Sequence, residues 1–276
     1  MFRFLSGLFN GTGNLEIKNR FDFSSRPESA EVIRQNRELL TKVSDWIDAE
    51  AMKNSCFDYG VPPFIQDVIN KDIGNNATYT DIMRYLAYKH FPQLNYLEIG
   101  VSVGKNFYQL AAGIPGGVFT GFDIEEINPV LERDYSLTNQ RTWETKAGSI
   151  KKTASSFKEY DFRGTKVNYL CADVWDENSW SQLQGNKYNM VFSDALHTPE
   201  AILFEFEMLV KYKLLDDKFV IVWDDLVGKM QRSFKSIIKK YHSAYQLQDI
   251  YLININGWVG QHENPHTVGL ISNFKM

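Results

Sequence analysis

Cysteine is nearly missing from this chain: two thiols, Cys56 and Cys171, stand among 276 residues, too few for a disulfide framework. Cys171 lies inside an apolar run, where a small buried thiol is the ordinary expectation, and a reducing, cytoplasmic setting fits such scarcity. An excess of basic charge is lacking as well. With a formal net charge of −4, the chain has no field that would gather a phosphate polymer, which argues against nucleic acid as a partner. No apolar run approaches the length of a membrane span. The opening Met1–Phe9 is apolar, but Arg3, Ser6 and Gly7 interrupt it, so it reads as too short and too polar for a secretory leader. Repeats and low-complexity tracts are absent too. What is present is a globular mixture, 43% apolar and 23% charged, at a length that suits one α/β domain with an appendage.

The chain is organised around Asn95-Tyr-Leu-Glu-Ile-Gly-Val-Ser-Val-Gly-Lys105. Tyr96–Ile99 is a short apolar run of the kind that forms a buried parallel strand, and Gly100 stops it. Gly104 then opens a segment in which Phe107, Leu110 and Ala111 recur at helical spacing. Strand, glycine turn and helix in that order make a nucleotide site, because the missing side chains at 100 and 104 let a ligand approach the backbone. The next apolar run, Val118–Phe122, ends in Asp123. That residue lies 23 positions after Gly100, near the interval of roughly 20 residues at which a second strand delivers a carboxylate to a ribose diol. A dinucleotide fingerprint would need glycine at 102 and 105, where Ser102 and Lys105 stand, so a pyrophosphate has no cradle.

Short apolar runs alternate with helical segments from residue 94 onward, which predicts a doubly wound, mostly parallel sheet with helices on both faces. Strands are expected at 95–99, 118–122, 167–171, 188–193 and 218–223. Two β-rich runs, Asp249–Ile255 and Thr267–Ile271, read as an antiparallel pair ending the sheet. Glu125 to Thr165 reads as one helix plus a long loop. Before residue 94 the pattern is helical: Pro27 to about Lys53 is amphipathic, Phe64–Ile69 reads as a short helix, and Thr78 or Thr80 caps a helix ending near Pro92. Residues 1–93 are thus expected as a helical cap, and 94–276 as the α/β domain. The amphipathic helix at 28–53 could pair with a copy of itself.

Ligands of an open parallel sheet lie at the carboxyl ends of its strands, and those ends are acidic here: Asp173, Asp194, Asp224 and Asp225 join Asp123. Gathered carboxylates must be neutralised by protons or by a cation. The cation is the favoured reading. Asp194, Asp224 and Asp225 offer oxygen only, with no cysteine or histidine set in their motifs, which suits Mg2+ or Mn2+. The plainer reading has Asp224 and Asp225 capping a helix from Lys229. In Ser193-Asp-Ala-Leu-His197-Thr-Pro-Glu200, Thr198 and Pro199 start a helix, so His197 stands just before its N-terminus, three residues after Asp194. A helix start disfavours imidazolium, which predicts a neutral His197 able to act as a base. The basic run Lys229, Arg232, Lys235, Lys239 and Lys240 reads as a solvated helix face.

The pattern Glu98-x-Gly100-x-x-x-Gly104 with Asp123 resembles the class I S-adenosylmethionine-dependent methyltransferases. The resemblance spans roughly residues 80–276. It implies a seven-stranded, Rossmann-like sheet in which Glu98, Gly100 and Gly104 hold the methionine end of the cofactor, Asp123 its ribose, and Asp173 its adenine with Trp175 nearby. The acidic rim looks like that of the metal-dependent O-methyltransferases, both the catechol type and the macrocin type with its cephalosporin-hydroxylase relatives. Carried over, Asp194, Asp224 and Asp225 become magnesium ligands and His197 the base, acting on a small-molecule vicinal diol such as a sugar or catechol. Asp225 departs from the asparagine of the catechol type, and Ala195-Leu196 from the Gly-Asp usual in the macrocin type, which leaves the acceptor open. A metal-independent methyltransferase, and a cofactor-binding module without catalysis, remain the alternatives.

Overall fold

Alternation along the strands decides the architecture. In β1 (Asn95–Ile99) the four residues from Tyr96 to Ile99 are all buried, so both faces of the sheet must be covered. Tyr96 on one face joins Phe119, Met190, Phe192, Val220 and Val222 in one core, whereas Leu97 and Ile99 on the other join Phe122, Leu170, Val191, Ile221 and Trp223 in a second. The computed structural model describes residues 16–39, 76–144, 154–257 and 266–276.

After α1 (residues 29–39) come α2 (Tyr79–His90), β1, α3 (Lys105–Gly113), β2 (Val118–Asp123), α4 (Pro129–Glu132), β3 (Ser136–Glu144) and β4 (Ala154–Phe162). The chain continues through β5 (Thr165–Cys171), α5 (Glu177–Ser181), β6 (Tyr188–Ser193), α6 (Pro199–Lys211), β7 (Leu215–Trp223), α7 (Met230–Tyr245), β8 (Asp249–Ile255) and β9 (His266–Ser272). The strands form one sheet in the order β3-β4-β5-β2-β1-β6-β7-β9-β8. β5, β2, β1, β6 and β7 are mutually parallel, and β9 enters antiparallel between β7 and β8. Side chains of α1, α2 and α3 fill the first core, and those of α5, α6 and α7 the second. This is the expected doubly wound α/β sheet, closed by the expected antiparallel pair.

Among the described residues the sheet has nine strands rather than seven, and the difference lies in Glu125 to Thr165. The described part of that region holds one short helix, α4, and two nine-residue strands, where one helix and a long loop were expected. β3 is exposed along almost its whole length, so no buried face stamps an apolar alternation on its sequence. The turn that joins β4 to β5, Arg163-Gly164, has φ of 55° and 81° at its two residues, the geometry of a two-residue hairpin.

Thr78 caps α2 in a reciprocal capping box with Asp81. Asp81 is also held by α1, through Arg37 at 2.8 Å and Asn36 at 2.7 Å. On the far edge of the sheet, Lys18 exchanges backbone hydrogen bonds with Ile250 and Leu252. Of the remaining helical expectation before residue 76, residues 40–53 and Phe64–Ile69 fall outside the described residues, as does Cys56. Cys171 is buried, its thiol donating to Ile124 O at 3.5 Å, and the five basic residues from Lys229 to Lys240 are solvent-exposed. Among the described residues, no helix is long and apolar enough to cross a membrane.

Candidate active site

The turn after β1 is built from its backbone. Gly100 and Gly104 both have φ of +84°, and Ser102 between them has +50°. Gly104 N–H bonds Val101 O at 2.9 Å, and α3 begins without a capping side chain. Asp123, at the end of the neighbouring strand, clips the turn: its Oδ2 accepts from Val101 N at 2.6 Å and Ser102 N at 2.8 Å, and its Oδ1 from Glu125 N at 2.9 Å. Removing this carboxylate orphans two turn amides, a loss of about 1–3 kcal/mol. Asp123→Ala is therefore expected to lower the melting temperature, which thermal unfolding checks.

Glu98 is buried, and its Oε2 accepts from Tyr96 Oη at 2.7 Å and Asn106 Nδ2 at 2.9 Å. Burial pushes its pKa well above the ordinary carboxylate range, against the pull of the Tyr96 hydroxyl. Gly100 also permits a close approach of backbone to backbone. A Cβ there would stand 2.4 Å from Ala195 Cα and 2.5 Å from Ala195 N, so its space is filled by the backbone after β6. Asp173 follows β5, two strands from β1 in the sheet order, and its Oδ1 accepts from Trp175 N at 2.9 Å in a local turn.

At the ends of β6 and β7 the acidic residues converge. Asp194 leaves β6 with its N–H on Ile99 O, and Asp224 leaves β7 with its N–H on Ser193 O, at 2.7 and 3.1 Å. Thr198 caps α6 with Pro199 in its first turn, which holds His197 over the rim. Its Nε2 lies 3.0 Å from Asp194 Oδ1 and its Nδ1 3.3 Å from Asp225 Oδ2. A second histidine, His266, arrives at the head of β9, with Nδ1 2.6 Å from Asp224 Oδ2 and 3.2 Å from Asp225 Oδ1. The carboxylates and imidazoles therefore alternate: Asp194, His197, Asp225, His266, Asp224. Helix capping is not what the acidic pair does, since α7 starts after Lys229 with no side-chain cap.

Charge follows from this ladder. The hydrogen bond to Asp194 lifts the His197 pKa to about 9. The neutral ring expected from the helix start is thus overruled by carboxylates in direct contact. Burial opposes charge on His266, but its hydrogen bonds to Asp224 and Asp225 prevail and lift its pKa to about 10. Asp194 rises to about 7, through burial first and then the neighbouring Asp224. Behind it Glu205, buried, accepts from Ser193 Oγ at 2.5 Å, and burial raises its pKa to about 8. Imidazolium is thus a third means of neutralising the rim, alongside protonation and a cation.

A cation fits the donors present. One oxygen each of Asp224 and Asp225 and one ring nitrogen of His266 lie within 4.8 Å of one another, close enough for a single divalent ion. Three residues of this neighbourhood carry no signal in the sequence motifs. His266 lies 42 positions beyond Asp224, and only the reversed pairing of β9 with β7 brings it there, through Trp223 opposite Gly269. Glu205 points inward from α6. Tyr79, in the first turn of α2, is buried, and its hydroxyl has no hydrogen-bond partner among the described residues. Its ring lies 5.8 Å from that of His266 and 5.0 Å from that of Phe192.

Topology and rim together define a doubly wound α/β protein with a candidate ligand site at the carboxyl ends of β1, β2, β6 and β7. The chain matches no family model and no curated protein sequence. Among solved structures it is similar to the O-methyltransferase TomG from Streptomyces achromogenes in complex with SAM, at 15% identity and a TM-score of 0.49, covering 88% of this chain and 98% of that one. It is also similar to the O-methyltransferase from Bacillus cereus in complex with SAH, at 15% identity and a TM-score of 0.48, covering 87% and 90%. A third is the magnesium protoporphyrin IX methyltransferase from Synechocystis PCC 6803 with bound SAM, at 14% identity and a TM-score of 0.46, covering 85% and 96%.

Proposed function

We propose that the protein is an S-adenosylmethionine-dependent O-methyltransferase, assisted by a divalent cation and acting on a hydroxyl of a small vicinal diol. The observation that carries this reading is the adjacency of two features: the glycine turn clipped by Asp123, and the ladder of Asp194, His197, Asp225, His266 and Asp224, joined where Gly100 meets the backbone at 194–195. Residues 94–276 form the cofactor-binding domain in this reading, with 1–93 as its helical cap.

When bound, S-adenosylmethionine supplies an electrophilic methyl group, and the cation supplies positive charge beside the acceptor oxygen. The chain's own groups do the rest. Glu98 and the turn at Gly100–Gly104 receive the methionine end, and Asp123 borders the ribose while keeping the turn closed. Asp173 lies toward the adenine side. Asp194, Asp224 and Asp225 concentrate negative charge where the cation belongs. His197, held by Asp194 and Asp225, takes the hydroxyl proton at a ring nitrogen once its own proton has left, so turnover is expected to rise with pH toward the raised His197 pKa of about 9, and orientation of the acceptor over the turn supplies the remaining advantage.

Methyl transfer from labelled S-adenosylmethionine to catechol tests the proposal. Stripping with EDTA is expected to lower the rate at least a hundredfold, and added Mg2+ or Mn2+ to restore it. Activity indifferent to EDTA would favour a metal-independent methyltransferase using His197 alone. Cofactor binding without transfer to any diol would favour a binding module.

A further inference from the structure

The ligand chemistry of this rim can be taken further, on the reading that a divalent cation sits there. We propose that the ion is held by Asp224, Asp225 and His266, with a ring nitrogen in place of the Asp194 carboxylate, and that the site therefore prefers Mn2+ to Mg2+.

The two sides of the ladder differ in what already occupies them. On one side, His197 stands between Asp194 and Asp225 and bonds the Asp194 oxygen at 3.0 Å, so an ion bridging those two carboxylates would have to expel the imidazole. On the other, His266 Nδ1 approaches Asp224 and Asp225 at 2.6 and 3.2 Å. The three donor atoms already span less than 4.8 Å, which is within reach of one ion at metal–ligand distances of about 2.0–2.4 Å. The donors are also well fixed. The Asp224 side chain is 2% exposed, and the Leu226 N–H bonds Thr267 O at 2.8 Å, pinning the segment after β7 to the head of β9.

A second observation points to a ligand at the same place. The Tyr79 hydroxyl is buried, has no partner among the described residues, and belongs to a ring packed edge-to-face on His266. Buried hydroxyls nearly always find a partner, and Tyr79 follows directly on Thr78, whose capping box with Asp81 fixes the start of α2. A water or acceptor oxygen on the ion would supply the missing bond. Nitrogen among the donors decides the metal. Magnesium is a hard ion that keeps oxygen ligands and octahedral water, whereas first-row transition ions accept imidazole readily.

The test is binding of the metal alone to metal-stripped full-length protein. By calorimetry, Mn2+ is expected to bind at least tenfold more tightly than Mg2+. His266→Gln, which retains a polar side chain of similar reach, should remove that preference, weakening Mn2+ at least tenfold and Mg2+ less than threefold. Asp194→Asn should change Mn2+ affinity less than threefold. The electron spin-echo signal of bound Mn2+ should carry modulation from a coordinated nitrogen in the wild type and lose it in His266→Gln. Equal affinities for the two ions, loss of Mn2+ binding in Asp194→Asn but not in His266→Gln, or absence of the nitrogen modulation would each overturn the proposal. Binding of neither ion would overturn it as well. Titration with S-adenosylhomocysteine separates the two levels: a protein that binds it but takes up no ion refutes this site and leaves methyl transfer standing.

Discussion

Replacing His197 by alanine is expected to lower turnover about 10²- to 10⁴-fold, the usual cost of removing a general base, while leaving S-adenosylhomocysteine affinity within about twofold. The expectation rests on position. His197 is the most exposed member of the ladder, with 44% of its side chain accessible, and it is held from two sides by Asp194 and Asp225. A side chain so open contributes little packing, so the melting temperature should move by no more than a few degrees. His197→Gln separates the two things the ring could do. Glutamine can still donate to Asp194, and so preserves a tether, but it has no nitrogen that can gain or lose a proton in the pH range of catalysis. If the ring only positions Asp194, the glutamine variant should retain most of the turnover. If it is the base, both variants should fall together. Turnover is measured at saturating cofactor and the chosen cation, so that a change in either affinity is not mistaken for a loss of chemistry.

The parallel core was legible because its strands are buried on both faces. Tyr96–Ile99, Val118–Phe122, Val167–Cys171, Tyr188–Ser193 and Lys218–Trp223 are runs that no surface strand would carry, and each falls within the observed β1, β2, β5, β6 and β7. The cap of α2 and the start of α6 were legible for a local reason, since Thr78 with Asp81, and Thr198 with Pro199, state their roles within four residues. The hairpin of β3 and β4 was not. Its outer strand answers to solvent rather than to a core, and the sole mark of its inner turn is a glycine after an arginine.

The candidate site divides in the same way. Its carboxylates follow strands that could be read, so the convergence of Asp194, Asp224 and Asp225 on one rim was legible. His266 depends on which strand β9 pairs with and in what register, and no local pattern encodes that. The protonation of His197 was misjudged because a helix terminus is visible in sequence, whereas Asp225, brought from another strand to 3.3 Å, is not.

Gly100→Ala is expected to be the most damaging small substitution on the rim. Two costs add. An L-residue at φ of +84° loses about 1–3 kcal/mol to backbone strain. The new methyl group would also lie 2.4 Å from Ala195 Cα and 2.5 Å from the carbonyl carbon of Asp194. Those atoms are backbone and cannot swing aside, so β1 and the segment after β6 must part, at a further cost of about 1–3 kcal/mol. The displaced segment carries Asp194 and, three residues on, His197, so turnover should collapse even in the fraction that folds. A matched control isolates the contact. Gly116 has φ of +78°, and a methyl group added there would meet nothing within 4 Å, so Gly116→Ala bears the conformational cost alone. Gly104→Ala is intermediate: its methyl group would meet the Leu131 Cδ1 end of a side chain at 2.4 Å, and a side chain can turn. Unfolding of the three variants should therefore rank Gly100→Ala as the least stable and Gly116→Ala as the most stable. Should Gly100→Ala match Gly116→Ala in stability and keep its turnover, then the packing of β1 against the 194–195 backbone is not what joins the two halves of the site.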